Sequence, residues 1–208
     1  MAADALPAWP LRLASGLRRG VAAVAAAMAC LAGWNYVACA LLITGDVIGR
    51  NFLGVSTAAT VELTGYMLAC GIAWALAHTL ARRAHIRVDV LVNRMPAGLR
   101  APLHLLALSL LTGFAGFCAW AAWMLYDESA LFDAHDNSAL RIPLVIPQGL
   151  WTLGIGAFVV MCAVLLLESL LALLCGRPAE LDRLLGSRTL ADETEEALEA
   201  VRMAEARR

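Results

Sequence analysis

The chain has 208 residues, 61% of them hydrophobic, and a formal net charge of −1; all sixteen basic residues are arginine. Soluble domains hold roughly 45–50% apolar residues, so this composition excludes a domain that lives wholly in water. It also argues against a nucleic-acid surface, which needs a basic patch on an exposed fold, whereas the arginines here sit beside apolar runs long enough to cross a bilayer.

In chain order, residues 1–20 form a short lead with Pro7, Pro10, Arg12, Arg18 and Arg19. Val21 to Ile43 then holds 23 residues without a formal charge. A spanning helix needs about 20 apolar residues, because it rises about 1.5 Å per residue across a core about 30 Å thick. The run also exceeds the roughly 7–15 residues of a signal-peptide core, so an uncleaved anchor is expected over residues 21–45. The Arg18–Arg19 pair reads as positive-inside anchoring, not as a twin-arginine export signal. The helix is expected to run on toward Arg50, with a turn through Asn51 to Gly54.

Glu62 opens the second span, predicted over 61–81. Gly65, Ala69, Ala73 and Ala77 form an i, i+4 series of small residues there, the kind of ridge along which membrane helices approach closely. Ala107, Ala115 and Ala119 offer a looser version on the third span, predicted over 102–126. Between these two spans, Arg82 to Pro102 is too polar to cross. Val88, Leu91, Val92 and Met95 share one helical face, so an amphipathic helix lying in the interface is expected. The loop from Tyr126 to Pro147 is acidic, and Pro143 and Pro147 introduce the fourth span, predicted over 148–175. Residues 176–208 form a charge-dense tail. The fold class expected is therefore an all-α integral membrane protein with four transmembrane helices, one interfacial helix, a lead at 1–20, a membrane domain at 21–175 and a tail at 176–208.

Arginines near the membrane number eleven on the side of the lead, the middle loop and the tail, against two (Arg50 and Arg141) on the other. The positive-inside rule then places both termini in the cytoplasm, the parity that four spans require.

Few residues suggest chemistry. Five of the six cysteines lie in apolar runs, none in a C-x-x-C spacing, so they read as small buried hydrophobes. His78, His85 and His104 fall near the same ends of helices two and three. Two histidines on facing helices could ligate a haem, and a small membrane cytochrome is one alternative reading, although interfacial histidines with polar neighbours explain the pattern more simply. A structural membrane protein unrelated to transport is another. Glu168 is the one carboxylate in the fourth run, and an ion pair with Arg82, Arg83 or His78 is expected for it. The acidic loop has no EF-hand or zinc-site spacing. No proline breaks a span at mid-membrane, as the substrate sites of many carriers require. An accessory or scaffolding subunit, not a complete carrier or an enzyme, is what these features leave, with no catalytic, cofactor or metal residues.

Four segments carry a resemblance. They are Asp46-Val-Ile-Gly-Arg50-Asn-Phe-Leu-Gly54, Glu62-Leu63, Arg82-Arg-Ala-His85-Ile-Arg-Val-Asp89, and Ser138-Ala-Leu-Arg141-Ile-Pro-Leu-Val-Ile-Pro147-Gln148. Their order relative to four apolar spans, over roughly residues 20–175, resembles the DctQ-like small permease subunit of tripartite ATP-independent periplasmic (TRAP) transporters. The resemblance implies a multi-pass protein of the bacterial inner membrane. Its partners would be a large permease subunit holding the substrate and sodium sites and a periplasmic binding protein that delivers an organic acid. The small subunit would anchor the large one while it moves as an elevator. By position, Arg50 and Glu62 match the family's far-side polar pair, and His85 and Asp89 its cytoplasmic loop motif. Together with Asp46 and Arg141 they are the candidate structural or partner-contact residues. Arg50 is expected to bond Glu62 or Asp46.

Overall fold

A computed structural model describes residues 9–55, 59–84, 97–137 and 140–176, and in the tail 184–185, 194, 198, 201–203 and 205. Among the described residues it is all-helical. Four helices account for the four apolar runs: α1 (Trp9–Ile48), α2 (Thr60–Ala81), α3 (Ala97–Leu131) and α4 (Val145–Leu174). Each is long and apolar enough to cross a membrane. Helix is what hydrocarbon demands, since only a helix satisfies every backbone group within its own segment. The interfacial helix expected around Val88 to Met95 lies outside the described residues.

Two helices reach further than their uncharged runs. α1 already starts at Trp9, with Pro10 in its first turn, where a missing N–H costs nothing. α3 starts at Ala97 and carries Pro102 inside its second turn. α1 continues into a π-helical turn, Gly49–Leu53, and stops at Gly54, whose φ of 65° lies in the left-handed region that glycine adopts without penalty. The amide of Val55 closes this turn onto the Gly49 carbonyl at 3.3 Å. α2 and α3 end alike, with Ala84 bonding back to Thr79 at 2.9 Å and Ala134 to Ser129 at 3.0 Å. These bonds satisfy carbonyls that a helix end leaves free.

α4 is the hub: it packs on α1, α2 and α3, while α1 packs mainly on α2 and α3 has substantial described contacts with α4 alone. The buried residues explain the arrangement. On α1, Leu11, Ala25, Ala32, Cys39 and Asp46 are buried and Arg18 half-buried, at steps of seven or fourteen. On α3 the buried series is Ala101, Leu108, Ala115, Ala122 and Ser129; on α4 it is Pro147, Gly154, Met161, Glu168 and Cys175. A seven-residue repeat keeps one seam against a neighbour by a left-handed supercoil. Most seam residues are small, so the backbones approach closely, which is how helices associate where lipid removes the hydrophobic drive. One close approach is at Gly154, where an added Cβ would meet the Ala73 Cβ at 2.8 Å. A similar one lies at Gly71, beneath the Tyr36 ring.

Polar side chains stitch the helices by bonding to backbone carbonyls across the seams. Asn35 Nδ2 donates to Met67 at 2.6 Å, and Trp74 Nε1 to Leu150 at 2.8 Å. Ala73 and Ala77 of the expected α2 ridge are buried, but Gly65 and Ala69 are exposed. An i, i+4 row drifts about 40° per step around an α-helix, so over three steps it leaves a seam that a seven-residue repeat follows.

Candidate functional site

The bundle has a loop end, where the α1–α2 and α3–α4 connections lie, and a termini end. Polar groups gather at both. At the loop end, Asp46 lies on the last turn of α1 and is buried, because the α1 seam carries it toward the neighbouring helices. Arg50 follows four residues later on the π turn, and its guanidinium bonds the Asp46 carboxylate within the same chain segment. The arginine stays largely exposed, so the pair holds the helix terminus and still presents a cation outward.

Glu62 sits in the first turn of α2, where the helix dipole favours a carboxylate. No ion pair joins it to Arg50 among the described residues, and its Oε2 is buried without a hydrogen-bond partner. One turn further, the Tyr66 phenol lies near the carboxylates of Asp136 and Glu62, which brings α2 up to the acidic loop. The loop itself is a small hairpin: Asp136 donates its amide to Ile142 and Leu144 to Ala134, both at 2.9 Å. Arg141, next to Ile142, is in the left-handed region, φ 46°, beside a concavity shared with Asp133, His135, Asp136 and Asn137. Gln148, at the start of α4, also has a buried Oε1 without a partner.

At the termini end, Glu168 is buried and bonds Arg18 Nε at 2.7 Å. The expected pairing with Arg82, Arg83 or His78 is thus corrected. Arg18 belongs to the α1 seam, and that seam delivers it to α4, whereas α2 turns its arginines past the end of the bundle. His78 Nδ1 and the hydroxyl of the fully buried Ser169 have no partner, and His104 is buried.

Of the six residues singled out in the sequence, Asp46, Arg50, Glu62 and Arg141 therefore lie at the loop end. Asp46 and Arg50 are in contact, while Glu62 and Arg141 stand apart from them. His85 and Asp89 lie outside the described residues. Tyr66, Gln148 and Arg18 were not anticipated. Arg18 carried a signal, since it stands seven residues before Ala25, and Gln148 closes one of the segments that carry the family resemblance; Tyr66 carried none.

The described residues hold helices in register and display charge at both ends of the bundle. No curated protein and no solved structure matches the chain at a significant level. A family model described as the DctQ component of tripartite ATP-independent periplasmic transporters matches residues 39–174. That stretch takes in the last turns of α1, the Asp46–Arg50 turn, α2, α3, the hairpin and α4. The chain belongs to this family, the small membrane component of TRAP transporters, and is a transporter subunit, not an enzyme.

Proposed function

We propose that this chain is the fixed membrane wall of a sodium-coupled, binding-protein-dependent uptake system for organic acids. Its partners are a large permease subunit, which carries the moving substrate site, and a periplasmic binding protein. The observation that carries this reading is the shape of the bundle. Among the described residues α3 packs substantially on α4 only, so large apolar side chains of α3, including Phe114, Phe117, Trp120 and Trp123, are exposed. Meanwhile the four apolar helices are continuous, and Asn35, Trp74 and Arg18 bond across to neighbouring helices. A one-sided wall of continuous apolar helices suits an anchor for a neighbour that slides.

In this reading the chain lies in the bacterial inner membrane with both termini in the cytoplasm and an interfacial helix between α2 and α3. Asp46, Arg50, Glu62 and Arg141 form the periplasmic rim. His85 and Asp89 form the cytoplasmic one. The test is reconstitution in liposomes under an inward sodium gradient. Uptake of a labelled organic acid is expected only with the large subunit and binding protein present. Uptake by this chain alone would refute the wall assignment, because it would require a site within these four helices.

A further inference from the structure

The segment of α1 from Trp9 to Gly20 carries two surfaces that the bundle does not use. Leu11, Ala14 and Arg18 form its buried side, with Leu11 packed on Ala172 and Cys175 of the α4 end. At about 100° per residue, Arg12 and Arg19 share a second flank, two turns or about 10 Å apart. Both are exposed, and neither meets a carboxylate among the described residues; Arg19 Nε donates only to the Ser15 carbonyl at 3.3 Å. Trp9, Leu13 and Leu17 are exposed on a third flank. Gly16 lies between the basic and the apolar flanks and Gly20 on the near edge of the apolar one, both exposed, with open space where a Cβ would stand. The result is a shallow trough with a backbone floor, a basic wall and an apolar wall. The apolar wall continues along the helix through Val24 and Leu31, which are also exposed.

Depth gives the trough its meaning. Arg19 closes a run of 26 uncharged residues, Gly20 to Gly45. The basic wall therefore starts at the edge of the hydrocarbon and extends through a headgroup layer of roughly 5–8 Å.

We propose that this trough binds an anionic phospholipid. Arg12 and Arg19 hold the headgroup phosphate, the glycines let the glycerol approach the backbone, and one acyl chain lies along Leu17, Val24 and Leu31. A protein helix seated in the same notch would have to bring its own carboxylates to this depth. The leaflet already presents anionic headgroups there, and each basic residue at such a surface gains from them.

The test uses the full chain, delipidated in detergent and titrated with dioleoylphosphatidylglycerol or dioleoylphosphatidylcholine, with bound lipid counted by native mass spectrometry. Phosphatidylglycerol should bind more tightly. Arg12→Gln and Arg19→Gln should each weaken it about fivefold, and the double variant roughly 30-fold. The double Arg→Lys variant should keep most of the preference, and Arg202→Gln in the tail should leave it unchanged. Equal affinity of the unmodified chain for the two lipids would overturn the proposal. So would a preference that survives the double Gln variant, or displacement of the lipid by equimolar inorganic phosphate, which would mark a free-anion site. On the unmodified chain, a photoactivatable phosphatidylglycerol should form adducts between Trp9 and Leu31; adducts confined to other helices would equally overturn it.

Discussion

Arg18 and Glu168 keep different amounts of water, and that difference sets what each substitution costs. The Arg18 side chain is 31% exposed, the Glu168 side chain 5%. Removing Arg18 strands a carboxylate inside the bundle, whereas removing Glu168 leaves an arginine whose long stem can carry its head toward the interface. Arg18→Ala is expected to destabilise by about 3 kcal/mol and Glu168→Ala by about 1 kcal/mol, read from thermal unfolding in detergent. Equal losses would show that the glutamate is not held out of water. At the other end, Asp46 is buried while Arg50 is largely exposed. Screening of the exposed partner limits their coupling to about 1 kcal/mol. A double-mutant cycle on stability should find that coupling for Arg50 with Asp46, and additivity within about 0.5 kcal/mol for Arg50 with Glu62. Coupling to Glu62 instead would mean the rim is paired across the turn.

At the scale of elements, small residues decide how close two helices come. Gly154 and Gly156 lie on the same helix two residues apart, so they face different surroundings. A Cβ at Gly154 would collide with Ala73 and Trp74 of α2, while one at Gly156 meets open space. Gly154→Ala should destabilise by about 1–3 kcal/mol through overpacking. Gly156→Ala should be stabilising by about 0.5–1 kcal/mol, because alanine loses less backbone entropy in a helix. Melting temperatures moving in opposite directions would check the α2–α4 seam; a shared direction would remove it. Similarly, Ala73→Leu should be far worse tolerated than Leu68→Ala, since Ala73 is buried against Gly154 and Leu68 is exposed.

At the scale of the molecule, helix lengths differ more than one bilayer allows. α1, with 40 residues, is about 60 Å long and α3, with 35, about 52 Å, against about 33 Å for the 22 residues of α2. A hydrocarbon core of about 30 Å matches α2 alone. α1 and α3 must tilt or project beyond the core, and the trough at Trp9 to Gly20 lies on such a projection. In the proposed topology four crossings put both termini on one side, which the arginine asymmetry assigns to the cytoplasm. Cysteines introduced at Ala84 and Ala130, both exposed beside helix ends, should react with an impermeant reagent from opposite faces, Ala130 from the periplasm. Reaction of both from one face would refute four crossings.

The residues by themselves determined the helices, because the absence of charge over some 20 residues has only one stable outcome in lipid. They also carried the family, through Asp46 to Gly54, Glu62 and the Pro143 to Gln148 stretch, all within the span that the family model matches. What they could not show was which face of each helix meets which neighbour. In water a buried face announces itself by being apolar; here lipid-facing and bundle-facing positions are both apolar, so hydropathy separates nothing. The seams differ instead by size and by a step of seven: Ala25, Ala32 and Cys39 on α1, Ala101, Ala115 and Ala122 on α3, Gly154 on α4. Only the packed structure decided that α4 lies at the centre, that Arg18 and not Arg82 neutralises Glu168, and that Asp46 takes Arg50 while Glu62 stays outside that pair. Each of those pairings depends on helix rotation and depth, and van der Waals fit between small residues fixes both.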